Sequence, residues 1–140
     1  MRLFDTSVVI DCRDPSSAWN DWATHQVAEA VGDDGAGFNA VALAEAGVRA
    51  VHPARLARDL EAIGFTLLPL PVASAALAAK AYAVYLQRCK AQGVARVSQM
   101  PLPDFLIGAH AEAENLPLVT RDPDRVKTYF PKVQLIVPQK

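Results

Sequence analysis

Cysteine is scarce. The 140 residues hold two, Cys12 and Cys89, and their separation fits no metal or redox spacing. They read as buried free thiols of a protein in the reducing cytoplasm. Long apolar runs are missing too. Nothing approaches the roughly 20 residues of a membrane span, and "AALAAKAYAVYL" is short and broken by Lys80. Acids interrupt the apolar start "MRLFDTSVVIDCRD", which excludes a signal peptide. There is no excess of basic charge: the formal net charge is −1. A chain that held nucleic acid by a general positive field should be strongly basic, so any such binding must be local. The three histidines, His25, His52 and His110, form no ligand pattern and read as surface or core residues. Internal repeats, low-complexity tracts and linkers are absent.

What is present is ordinary for one soluble domain spanning residues 1–140: 51% hydrophobic and 21% charged residues, and length enough for a real core. "RLFD" (2–5) reads as a short buried strand, followed by a helical turn, "TSVVIDC", with Thr6 or Ser7 as its cap. "SSAWNDWATHQVAEAV" (16–31) places Trp19, Trp22, Ala23, Val27 and Ala30 along one helix face. A mostly helical stretch covers 38–51, after at most one short strand. Pro53 begins another helix, which Gly64 ends. "FTLLPL" (65–70) is a strand that Pro69 shortens or confines to an edge. An Ala-rich helix (72–92) stops at Gly93, the loop "GVARVSQMPLP" follows, and "DFLIGAHAEAE" (104–114) is helical. "LPLVT" (116–120) and "VQLIVP" (133–138) read as strands around a helical turn. Strands alternating with helical crossovers predict an α/β/α sandwich around a mostly parallel sheet of four or five strands, with sites gathered past the carboxyl ends of the strands.

Four acids sit where solvent does not explain them. Asp5 ends an apolar strand. Glu45 shares a helical stripe with Val41, Ala44 and Val48. Asp104 starts a stripe through Ile107, Gly108 and Ala111. Asp122 follows "PLVT". Each has a plain structural reading: Asp5 can cap the next turn, Asp104 can favour its helix dipole, Asp122 can be a turn residue before Pro123, and Glu45 can pair with Arg49. Those readings do not explain why all four border buried surface. If they converge, two like charges about 4 Å apart cost on the order of 4 kcal/mol at an effective dielectric near 20. Protons or cations must offset that. An all-oxygen donor set suits Mg²⁺ or Mn²⁺ before Zn²⁺, and carboxylates with Mg²⁺ point to phosphodiester hydrolysis.

"DTSVVID", "NAVALAEA", "DFLIGAHA" and "LPLVTRDPDRVKTYFP" resemble, in order and over nearly the whole chain, the four motifs of PIN-domain nucleases, above all the VapC-type toxins of bacterial toxin–antitoxin pairs. The resemblance implies a Mg²⁺- or Mn²⁺-dependent endoribonuclease, a homodimer, and a small cognate antitoxin that blocks the groove and carries the binding to operator DNA. It matches Asp5, Glu45, Asp104 and Asp122 to the acidic quartet. Asp5, Asp104 and Asp122 are expected to hold the metal, and Glu45 to act through metal-bound water or as proton acceptor. Thr6 and Thr120 match small hydroxyl positions that can bond a carboxylate or a metal-bound water. Arg121 can hold a phosphate or pair with an acid. Asp11 and Asp124 are secondary candidates that read as solvated turn residues. Gly108 stands where this family more often has Ala.

Removing the four acids from the formal charge leaves +3. Arg49, Arg96, Arg121, Arg125 and Lys127 lie near the motifs and can form a local basic rim; Arg55 and Arg58 follow the second motif. Trp19 and Trp22 can serve as base-stacking platforms, but their register favours core or partner-helix packing. A haloacid-dehalogenase-like phosphatase needs a second Asp two positions after Asp5, where Ser7 stands. A phospho-receiver domain lacks its acids and its phosphoacceptor. A non-catalytic PIN-like RNA- or protein-binding module is the remaining alternative, and it has no need of four clustered carboxylates.

Overall fold

The computed structural model describes residues 1–93 and 102–139. Arg96 and most of the loop before Asp104 lie outside the described residues. Five strands, β1 (Arg2–Phe4), β2 (Ala36–Asn39), β3 (Phe65–Leu68), β4 (Leu118–Val119) and β5 (Leu135–Ile136), form one sheet in the order β3-β2-β1-β4-β5. Every pairing is parallel. The helices are α1 (Thr6–Arg13), α2 (Asn20–Gly32), α3 (Ala40–Gly47), α4 (Leu56–Ile63), α5 (Ala73–Gln92), α6 (Leu102–Ala113) and α7 (Pro123–Tyr129).

The strand alternation explains the layers. Phe4 and Val119 point into a cluster with Val8 and Val9 of α1, Ala23 and Val27 of α2, and Leu56 and Leu60 of α4. Their neighbours Leu3 and Leu118 point the other way, against Ala42 of α3 and Ile107 and Ala111 of α6. Both faces are therefore covered, as a parallel sheet requires. A third cluster joins α5 to α6 through Ala78, Ala81 and Tyr85 against Phe105 and Ala109. Trp22 packs against the first cluster, whereas Trp19 remains 37% exposed, so only one of the two is a core residue.

Several boundaries differ from the sequence reading. The turn after β1 is a helix of eight residues, and its cap is Asp5, whose carboxylate accepts from the Thr6 amide at 2.8 Å. The helix expected from residue 16 begins at Asn20, because Asp14, Ser16 and Ser17 use their side chains in local hydrogen bonds that compete with helix. A four-residue strand precedes α3. β3 lies at the sheet edge and ends before Pro69, as that proline requires. Gly64 and Gly93 close their helices in left-handed conformation, at φ 119° and 67°. No helix among the described residues is long and apolar enough to cross a membrane.

Gly108 has a packing reason. A Cβ there would meet Cδ2 of the buried Phe130 ring at 2.5 Å. Gly108→Ala gains about 1 kcal/mol of helix propensity against an overpacking loss of about 1–3 kcal/mol. It is expected to lower stability by about 1 kcal/mol in urea unfolding. The loss should shrink in a Phe130→Leu background; an equal loss in both backgrounds would refute the packing account.

Candidate functional site

The sheet order reverses between β1 and β4, and a parallel sheet opens a crevice at such a point beyond its carboxyl ends. The register pairs Phe4 with Val119, so the next residues, Asp5 and Thr120, leave the sheet side by side. The Asp5 amide donates to the Val119 carbonyl at 3.0 Å, and the buried Thr120 hydroxyl donates to Asp5 Oδ2 at 2.8 Å. The same hydroxyl accepts from the Asp122 amide at 3.1 Å, which folds the chain back so that Asp122 returns to the crevice. Asp122 precedes α7 without capping it: its side chain makes no hydrogen bond to the helix amides. On the other side the Thr6 hydroxyl donates to Glu45 Oε1 at 2.7 Å. Glu45 makes no ion pair with Arg49 or any other cation among the described residues.

Asp104 arrives on the first turn of α6. A buried polar link ties that helix to α3. Asn39 Oδ1 caps α3 by accepting from the Ala42 amide at 3.0 Å, which leaves its Nδ2 to donate to His110 Nδ1 at 3.0 Å. Burial holds the His110 pKa below its ordinary 6.5, with Glu114 pulling the other way. The neutral ring accepts at Nδ1, and the helices carrying Glu45 and Asp104 are thereby fixed to one strand end.

Asp5, Glu45, Asp104 and Asp122 line one cavity of about 510 Å³, together with Thr6, Ser7, Asp11, Arg49, Arg121 and Arg125. Their charges act on one another. Burial pushes the Asp5 carboxyl above its ordinary 3.8; the bonds from Thr120 and Thr6 pull it back, and Asp104 and Asp122 add to the rise. Burial also raises Asp104, Arg125 opposes it, and Glu45 and Asp122 push the same way as burial. Arg125 reaches Asp104 at 2.9 Å from a half-exposed position. Among the described residues no cation pairs with Asp5, Glu45 or Asp122.

Asp11 corrects the sequence reading. It is buried, 3% exposed, and forms an ion pair with Arg121 Nε at 3.0 Å, while Ser17 donates to its Oδ1 at 2.9 Å. A signal was available: Ser7, Asp11 and Asp14 recur at helical spacing along α1 and the residue that closes it, and all three line the cavity. Asp124 is exposed, as expected. Arg2 gathers Asp33 and Asp34 at the surface, at 3.1 and 3.0 Å, which accounts for those acids without a site. Arg55 and Arg58 lie outside the cavity lining. The Ser7 hydroxyl, a candidate cap by sequence, is instead buried without a hydrogen-bond partner.

The donor set fits a hard dication. It is all oxygen, with no Cys or His among the cavity residues, and its repulsion is only partly offset by Arg125. Among the described residues no three acidic, histidine or cysteine side chains close into a ready coordination shell. Mg²⁺ needs no such cage, since it keeps several waters and takes one or two carboxylates.

The sign of the two carboxyl shifts gives a test. An acid raised on folding binds its proton more tightly in the folded state. Its contribution to metal-free stability is therefore lost as pH climbs from the unfolded value of 3.8 through the folded one. Asp104→Asn is expected to raise the melting temperature of the metal-free protein near pH 7 by about 2–4 °C and to flatten its pH dependence above about pH 4. A lower melting temperature would show that the Arg125 pair outweighs the repulsion.

Residues 2–131 match the PIN domain family model. Among curated proteins nothing matches. Solved structures do. The chain is similar to one in VapBC2 from Rickettsia felis bound to a DNA fragment from their promoter, at 14% identity and a TM-score of 0.68, covering 97% of each chain. It is similar to one in a toxin–antitoxin complex from Klebsiella pneumoniae, at 20% identity and a TM-score of 0.63, covering 100% of this chain and 99% of that one. It is also similar to Mycobacterium tuberculosis VapC20, a sarcin–ricin loop cleaving toxin, at 13% identity and a TM-score of 0.66, covering 96% and 99%. At such identities the likeness is one of fold.

Proposed function

Since the chain belongs to the PIN domain family, we propose that it is a metal-dependent endoribonuclease, the toxin of a type II toxin–antitoxin pair, with residues 1–140 acting as one domain in the cytoplasm. The observation that carries this is the convergence of Asp5, Glu45, Asp104 and Asp122, from four separate chain segments, on one cavity where β1 and β4 part. Asp5, Asp104 and Asp122 would hold Mg²⁺ or Mn²⁺. The bound ion supplies positive charge at the scissile phosphate and lowers the pKa of water.

The chain's own residues do the rest. Thr120 and Thr6 fix both oxygens of Asp5, through the hydroxyl of the first and the amide of the second, so that this carboxylate does not swing away from its like-charged neighbours. The Thr6 hydroxyl occupies Oε1 of Glu45 and leaves Oε2 to accept the proton of the attacking water. Arg49 and Arg125 line the same cavity and put positive charge beside the path of the phosphodiester. Arg121 supports the site from its rim through its pair with Asp11.

The substrate would be RNA. The partners would be a cognate antitoxin and a second copy of the chain, with operator DNA reached only through the antitoxin. Structures of FitAB bound to IR36 DNA fragment and of DNA-bound VapBC from Salmonella typhimurium share this fold, and they support the operator-DNA part of that reading.

Purified protein is expected to cut single-stranded RNAs internally with Mg²⁺ or Mn²⁺, to stop in EDTA, and to lose at least about a hundredfold in rate with Asp5→Asn. Cleavage that survives both EDTA and that variant would rule out the mechanism. At metal concentrations about a hundredfold above Kd, the wild type should gain about 2.7 kcal/mol of stability, and Asp104→Asn should lose most of that gain. A metal-induced shift without cleavage of any RNA would favour the non-catalytic binding module.

A further inference from the structure

A second groove, of about 620 Å³, opens beside the carboxylate cavity and shares Arg121, Asp122 and Arg125 with it. Trp19 and Lys127 also line it. Three cations thus face two acids, Asp122 and Asp124, in a chain whose net charge is −1.

Trp19 is held there. Its amide donates to Ser17 Oγ at 3.1 Å, Ser17 donates to Asp11 Oδ1 at 2.9 Å, and Asp11 Oδ2 pairs with Arg121 Nε at 3.0 Å. The Arg121 guanidinium carbon lies 6.0 Å from the Trp19 ring centroid. Burying a carboxylate is costly unless it is paired. Here the burial of Asp11 fixes one arginine beside one tryptophan at the mouth of the cavity. The pair is ionic: Asp11 Oδ2 accepts no hydrogen bond, and no guanidinium N–H of Arg121 donates one among the described residues, so those donors remain able to bind an anion. Trp22, one turn on, packs against the core, while Trp19 keeps more than a third of its surface in water.

We propose that this groove holds an unpaired nucleotide of the RNA strand, its base stacked on the exposed part of the Trp19 indole and its phosphate on the terminal nitrogens of Arg121. The inference rests on the ribonuclease reading and adds the residues that grip the strand beside the cut, Trp19 for a base and Arg121 for its phosphate. Every base offers a π-face and every linkage a phosphate, so the groove holds a strand without reading its sequence. A duplex keeps its bases stacked on one another and cannot offer one to Trp19.

The test uses the whole chain. With Mg²⁺, Trp19→Ala is expected to lower kcat/KM on single-stranded RNA by about tenfold, mainly through KM, the lower end of what one lost base–aromatic stack produces; Trp19→Phe should keep most of it. RNAs carrying one abasic nucleotide, placed in turn on either side of the cut, need no variant. One position should reproduce the loss with the wild type and add nothing to Trp19→Ala. In EDTA, Trp22→Phe leaves Trp19 as the only tryptophan. A single-stranded oligoribonucleotide should quench it, and the same strand annealed to its complement should not.

Normal cleavage by Trp19→Ala together with a flat abasic profile overturns the groove and leaves the nuclease standing. Equal quenching by duplex and single strand also overturns it. Quenching without any cleavage keeps the groove as a single-strand binding site and removes the nuclease. Absence of both removes both.

Discussion

Negative charge is crowded at the carboxyl ends of β1 and β4, and the local structure is arranged to hold it there. Asp5 and Asp104 each sit above their ordinary carboxylate value through burial, and each feels other acids of the same cavity. Such a group relaxes by swinging into water unless something prevents it. Here the Thr120 hydroxyl bonds Asp5 on one side, and the Thr6 amide bonds it on the other. The acids are therefore held together at the expense of metal-free stability, and a cation bound among them would relieve a repulsion already present.

The polar groups behind the acids matter for the same reason. Asn39 spends its oxygen on the α3 cap and its amide nitrogen on His110, so strand, helix and helix meet in one buried link. His110 is thereby explained as a structural residue, with its pKa held down by burial. Thr120 uses its one hydroxyl twice, as donor to Asp5 and acceptor from Asp122, and joins two members of the acidic set through a single fully buried side chain. Replacing it by an apolar residue of the same shape would leave two groups without partners.

The two arginines nearest the acids have different duties. Arg125 is half exposed, so its pair with Asp104 is screened by solvent and easily exchanged for another anion. Arg121, in the bend before α7, is tied to a buried carboxylate on α1, which orients it. A modest local excess of positive charge thus borders an acidic cavity in a chain of nearly neutral charge, consistent with binding that depends on where charge sits.

The sequence by itself determined the alternation of strands and helices, a mostly parallel sheet, the limit that Pro69 sets on the strand before it, and the helix ends at Gly64 and Gly93. Each follows from short-range physics: apolar periodicity, the missing amide of proline, and the left-handed freedom of glycine. It also marked Asp5, Glu45, Asp104 and Asp122, because an acid next to an apolar run is conspicuous without any fold. It misjudged Asp11, since a polar stripe on a short helix looks the same whether it faces water or a cleft. It also left Arg121 between two readings and could not tell Trp19 from Trp22. Those matters were decided only in three dimensions. Whether Asp11 is buried depends on Arg121, 110 positions away, and which tryptophan meets the core depends on how α2 is rotated against the sheet. Local preference acts over a few residues, whereas a charge or a ring is satisfied by whatever the folded chain brings beside it.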